Sequence, residues 1–204
     1  MNARSCFAVC TVFAVAASAL GGCRSDGPAV AASGPVVADS VTQPASSPRA
    51  AIDRFLQFYF HEYRSGLPSE RERAALSPMV TREFSAALEA AAHAERCAYG
   101  KHQGTEPPLI QGDLFSSLFE KANAVLGINE DSNDGATAEY TLDFEYRTPG
   151  DHGQVSKWHD GVHLVRIDGA WLIDDFMHRG EWQFTSQGSV KSMLTATAAL
   201  CVER

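Results

Sequence analysis

The chain has 204 residues, 45% of them hydrophobic and 21% charged, with 25 acidic against 17 basic side chains and a formal net charge of −8. This is a globular mixture with room for one ordinary domain and its appendages. The acid excess leaves no electrostatic footprint for nucleic acid or for adsorption to an anionic membrane surface. No apolar run reaches the ~20 residues of a transmembrane helix.

Residues 1–22 read as an export signal. Arg4 supplies the positive start, and Cys6 to Leu20 is an uncharged apolar stretch of signal-core length. It ends Leu20-Gly21-Gly22-Cys23. That ending resembles the bacterial lipobox, an apolar residue and two small ones before a cysteine. The resemblance implies cleavage before Cys23, a diacylglyceryl thioether on its sulfur and acylation of the new amine. A plain secretory signal cut after Ala19 is the alternative. One acyl chain binds membranes reversibly, whereas three together make a lasting anchor. Residue 24 is Arg, not the Asp that retains lipoproteins at the inner membrane of enteric bacteria. The expected location is therefore periplasmic, on the inner leaflet of the outer membrane. Residues 23–47 are rich in Ala, Ser, Gly, Pro and Val, without an aromatic residue or a helical period, and read as a flexible tether.

The domain is expected over residues 48–204. Ser47-Pro48 is an N-cap followed by a first-turn proline, and Ile52, Phe55, Leu56, Tyr59 and Tyr63 then fall on one helical face ended by Gly66. Pro68 to Leu76 is a short charged helix or turn. Ser77-Pro78 predicts the cap of a third helix with a Val80, Phe84, Leu88, Ala91 stripe, running to about Cys97. A loop follows from Gly100 to Asp113, with a single helical turn over Leu114–Phe119. Four strands come next: Ala122–Ile128; Ala138–Tyr146, which alternates cleanly; and Trp158–Ile167 and Ala170–His178, joined by the type I′ signal Asp168-Gly169. Ser189–Val202 reads as a closing helix. The predicted class is α+β, with N-terminal helices packed on a curved four-stranded antiparallel sheet and a C-terminal helix.

The aromatic helix Phe55–Tyr63, the phrase Gly112-Asp113-Leu114-Phe115-Ser116-Ser117-Leu118 and the ending Trp158-x-Asp160 … Gly169-x-Trp171-x-Ile173-Asp174-Asp175 resemble an uncharacterised bacterial lipoprotein family with a nuclear-transport-factor-2-like (cystatin-like) domain. The resemblance covers most of residues 48–200. It implies a cone-shaped fold and an envelope location, and no agreed activity.

Cys97 and Cys201 remain once the signal is removed and Cys23 is acylated. Each ends a predicted helix in a compartment that oxidises thiols, so a disulfide is expected, with two free buried thiols as the alternative. The Asp168-Gly169 turn predicts that facing residue numbers on the last two strands sum to 337. One face then carries Trp158, Asp160, Val162 and Leu164 with Arg179, Met177, Asp175 and Ile173, and is assigned to the concave side. Asp160 and Asp175 become diagonal neighbours there, without a histidine. Two carboxylates in a half-apolar cup suit acid–base chemistry, while carboxylates bonded to backbone amides or to Arg179 suit a structural role. The other face gathers His159, His163 and His178 with Asp174, a composition that zinc or copper accepts, although the spacing matches no known motif. No cofactor is expected.

These readings converge on a non-enzymatic binding module. Its expected partner is a basic, envelope-directed protein, as for an immunity or inhibitor protein facing a toxin, drawn to the acidic surface. Capture of a small molecule in a cup lined by Tyr140, Phe144 and Trp158, with Asp160, Asp175 and Arg179 at hand, is the alternative. A dehydratase- or isomerase-like enzyme using Asp160 and Asp175 is the third reading.

Overall fold

The computed structural model describes residues 44–102, 108–150, 153–182 and 187–201, all within the unit Ala38–Arg204. The expected signal, Cys23 and the tether up to residue 43 lie outside the described residues. None of the helices among the described residues is long and apolar enough to cross a membrane.

Helix α1 (Pro48–His61) begins where the Ser47 hydroxyl accepts the Ala50 amide and Pro48 takes the first turn, a position that needs no N–H. Ordered contact starts slightly earlier than expected, since the Ala45 carbonyl accepts the Trp171 amide at 3.0 Å. Helix α2 (Glu70–Leu76) carries a reciprocal Ser69–Glu72 capping box. The third helix starts later than Ser77-Pro78 predicts. Ser77–Met79 is only a 3-10 turn, Val80 is extended and bridges Ile173, and α3 spans Arg82–His102. The Thr81 hydroxyl, accepting the Phe84 amide at 3.2 Å, is the cap.

The sheet is an open antiparallel meander in the order β1 (Ala124–Asn133), β2 (Thr137–Arg147), β3 (Val155–Ile167), β4 (Ala170–His178), β5 (Gly188–Ser189). It has five strands, not four, because Gly188 and Ser189 pair with His178 and Met177 before helix α4 (Val190–Ala198) begins. Residues 114–119 form an irregular loop, not a helical turn. The inner face of the sheet meets α1 and α3 in an aromatic core. Phe55 and Phe84 both pack on Phe176, with ring centroids 4.7 and 5.9 Å apart, and Tyr59 packs on Phe144 at 6.0 Å.

The expected β3–β4 register holds for only part of the hairpin. Ile167–Ala170 through Leu164–Ile173 pair as predicted around Asp168 and Gly169, both at positive φ as a type I′ turn requires. A bulge then inserts one residue in β4, so that His163 faces Asp175 and Val162 faces Phe176. Unbroken alternation would drive Asp175 into the core and turn Phe176 to solvent. The bulge reverses both outcomes: Phe176 is fully buried among Phe55, Phe84 and Phe115, and both aspartates find polar partners.

Cys97 and Cys201 form a disulfide across 104 residues, with Cα atoms 6.1 Å apart. Neither ends its helix as expected: α3 runs past Cys97 to His102, and α4 stops at Ala198, short of Cys201, so the bridge ties the chain after α4 to α3. Helix α4 is also held by Val190 and Leu194 in the core. Paired replacement of both cysteines by alanine is therefore expected to keep the fold and lower its stability by about 2–3 kcal/mol, within the usual range for a native disulfide. Urea titration of the variant measures this loss, and an unchanged midpoint would contradict it.

Candidate functional site

Asp160 sits in the apolar inner face of β3, 1% exposed. A carboxylate there is tolerable only if its oxygens are fully engaged. One oxygen accepts the Ser117 amide at 2.7 Å and Trp158 Nε1 at 2.9 Å. The other accepts the Ser117 hydroxyl and, at 2.8 Å, the Arg179 amide. The Ser117 hydroxyl in turn accepts the Arg179 and Gly180 amides at 3.0 and 2.9 Å. One buried carboxylate thus pins the loop at Ser117 to the exit of β4.

Asp175 is not its neighbour in a shared cup. The bulge turns it toward α4, where its carboxylate accepts the Ser189 hydroxyl and the Lys191 amide, the latter at 2.9 Å. A carboxylate at that helix start satisfies an otherwise orphan N–H and complements the dipole. Arg179 meets Asp160 through its backbone. Its guanidinium crosses the outer face over Gly161, where a Cβ would come within 2.7 Å of it, and donates to the Thr141 hydroxyl at 2.9 Å.

The bulge also corrects the histidines. His178 moves to the inner side, buried, with its Nε2 3.1 Å from the Leu114 carbonyl. Burial lowers its pKa, against the opposing pull of the Asp160 and Asp175 charges and that carbonyl. His159 lies beside Asp143 at 2.8 Å, and His163 beside Asp174 at 3.3 Å, on the outer face. The expected three-histidine face therefore does not form. Among the described residues no three His, Cys, Asp or Glu side chains are grouped to hold a metal ion.

Tyr140, Phe144 and Trp158 are core residues, each under 6% exposed. Phe144 stacks on Trp158 at 5.5 Å, and α1 covers this face through Tyr59. The side chains expected to line an open cup instead fill it.

A second buried network was not foreseen. Asp113 accepts the Tyr59 hydroxyl, the Phe115 amide at 3.0 Å and the Ser116 hydroxyl at 2.8 Å. The Tyr63 hydroxyl accepts the Leu114 amide at 2.9 Å, and the Tyr59 hydroxyl accepts the Ala122 amide at 3.0 Å. Lys121 lies 5.0 and 5.6 Å from the two tyrosine ring centres and donates to the Tyr63 carbonyl at 2.6 Å. Burial raises the Asp113 carboxyl to about 6, against the lowering effect of its hydrogen bonds and of Lys121. Burial and the Asp113 charge push both tyrosines well above their usual range. A loop without regular backbone pairing can be buried because these side chains satisfy it. The spacing of Tyr59 on α1 and Tyr63 just past its end, and the Asp-x-x-Ser-Ser phrase, were the available signals.

At the rim, a cleft of ≈ 350 Å³ is lined by Lys157, Trp158, His159, Arg179, Gly180, Glu181 and Trp182. Trp182 packs edge-on against Trp158, with ring centres 5.9 Å apart, and remains 37% exposed. Two expected candidates, Trp158 and Arg179, meet here, while Asp160 anchors both from beneath. At the β1–β2 turn, Glu130, Asp131 and Asp134 are all exposed. Comparison with protein-family models, curated proteins and solved structures finds no match for the chain.

Proposed function

We propose that the chain is a lipoprotein of the bacterial envelope, anchored through Cys23, whose nuclear-transport-factor-2-like domain acts as a non-enzymatic binding module. The observation that carries the binding reading is the state of the two carboxylates. Asp160 and Asp175 are engaged by backbone amides and hydroxyls, and the inner face around Asp160 is packed with aromatic rings. Proton transfer needs a carboxylate within reach of substrate, and these two hold the protein's own loop and helix. Recognition then falls to the surface.

The chain carries a net negative charge, and Glu130, Asp131 and Asp134 are exposed at and beside the β1–β2 turn. A basic, envelope-directed protein is the partner this charge attracts, and an immunity or inhibitor role against such a toxin is the specific form of the proposal. The test is capture of basic envelope proteins by the purified full chain. Capture should weaken with salt and on Asp131→Asn with Asp134→Asn. A partner bound equally well by the neutralised variant would remove the electrostatic reading.

The anchor has its own test. Cys23→Ala is expected to abolish acylation and release the protein from the membrane fraction. Wild-type protein that fractionates with soluble material and carries no acyl mass would refute the lipoprotein assignment.

A further inference from the structure

We infer that the rim cleft around Trp182 is a binding site for a neutral saccharide, one pyranose ring of which stacks on the exposed indole. This inference goes beyond the proposed capture of a basic protein and rests on Trp182, not on the acids of the β1–β2 turn, which the cleft adjoins where Arg179 lies 3.8 Å from Asp131.

The chemistry follows from the lining. Trp182 offers apolar surface at the rim and packs edge-on against Trp158, which Asp160 holds through Nε1. The chain leading to it is held as well, since the Arg179 and Gly180 amides are both bonded to the Ser117 hydroxyl. A ligand that lands here meets a pre-organised aromatic surface and loses little to reordering.

The walls decide what kind of ligand that is. Lys157 lies 3.5 Å from Glu145, His159 lies 2.8 Å from Asp143, and Arg179 lies 3.8 Å from Asp131. Each basic side chain of the cleft already faces an acid, so an anion gains little net attraction and also meets Glu181. The same pairs engage Glu145, Asp143 and Asp131, so a cation at the indole finds these acids already partnered and meets Lys157 and Arg179 beside Glu181. A wholly apolar ligand would cover these charged groups without replacing their hydrogen bonds with water. The ligand that satisfies all three constraints is neutral, has one apolar face for Trp182 and carries a rim of hydroxyl or amide groups for Arg179, His159 and Glu181. A pyranose ring has that construction. The cleft lies at the small end of the usual range for small-molecule sites, which suits one or two rings.

The test is titration of the purified full chain with triacetylchitotriose and, separately, with maltotriose. Tryptophan fluorescence and calorimetry provide the readouts. Saturable binding of at least one trisaccharide is expected, with an affinity that does not change between low and high salt. Trp182→Ala should weaken it about tenfold, as loss of a stacked aromatic contact implies, and Trp182→Phe should restore most of it. Calorimetry keeps the alanine variant readable after its fluorescence is lost. Absence of saturation into the millimolar range for both sugars would overturn the inference. So would binding indifferent to Trp182→Ala, or stronger and salt-sensitive binding of inorganic phosphate. Capture of a basic protein that survives Trp182→Ala leaves the proposed function standing whichever way this test falls.

Discussion

Asp160→Asn is expected to cost about 3–5 kcal/mol, the range for leaving buried charge-assisted partners uncompensated. The replacement is isosteric, so the cost arises from hydrogen-bond polarity alone. Each carboxylate oxygen of Asp160 receives a backbone amide, from Ser117 on one side and from Arg179 on the other. Whichever way the asparagine amide is turned, its NH2 group points at a donor that cannot rotate away. The Ser117 hydroxyl offers no relief, because it already accepts the Arg179 and Gly180 amides. The melting temperature should fall by roughly 6–20 °C for a domain of this size, and protection of the Ser117 and Arg179 amides from hydrogen exchange should fall with it. An enzyme that used Asp160 as its base would respond differently. Its asparagine variant would stay folded while a turnover disappeared. A variant of wild-type stability that had lost such a turnover would reverse the binding reading.

The same residue marks the boundary of what the sequence could reveal. The β2–β3–β4 meander, the capped α1 and the type I′ turn were legible because each rests on a local signal: two-residue alternation, Ser-Pro, or Asp-Gly. The Cys97–Cys201 pairing was expected from an oxidising compartment and from two helix ends, and it forms although Cys97 lies inside α3 and Cys201 past α4. The bulge at Asp174 was not, although its trace is present. Trp171 and Ile173 keep one phase, Phe176 and His178 keep the other, and the phase changes at Asp174-Asp175. A strict register treats that change as two aspartates alternating across the sheet, and so placed Asp160 and Asp175 together and gathered three histidines on one face. Burying Phe176 outweighs one broken ladder position, a tertiary effect that no pairing rule contains. The fifth strand is only Gly188–Ser189, too short for any period to announce it. The stretch Leu114–Phe119 was expected as a single helical turn and is an irregular loop. Residues 113–117 are buried, and the Leu114, Phe115 and Ser117 amides there are satisfied by Tyr63, Asp113 and Asp160, which reach them from just past α1, from the loop itself and from β3.

Asp113→Asn should change how stability depends on pH without harming the fold at neutrality. The Asp113 carboxyl titrates near 6 in the folded chain against 3.8 ordinarily, because it is buried. A raised carboxylate pKa means that the folded state holds its proton more tightly than the unfolded one. The contribution of this group is therefore fully present below about pH 3.8 and is lost as pH rises through about 6. The size of the swing is about 3 kcal/mol. Asparagine cannot titrate, and here it fits. Its carbonyl can accept the Phe115 amide, while its NH2 faces the Ser116 and Tyr59 hydroxyls, which can rotate to accept. The charged and titratable groups around the site stay in place: Tyr59 on α1, Tyr63 just past its end, Glu72 on α2, and Lys121 on the loop. His178 has the opposite sign, its lowered pKa giving stability that is lost as pH falls, and it remains in both proteins. Comparing the two proteins isolates Asp113. Urea midpoints measured from pH ~4 to ~8 should show wild type ahead in acid, with its lead shrinking through pH ~6 and vanishing or reversing at neutrality. Parallel curves for the two proteins would mean that Asp113 is not protonated more readily in the folded state, and that Lys121 and the hydroxyl donors offset its burial.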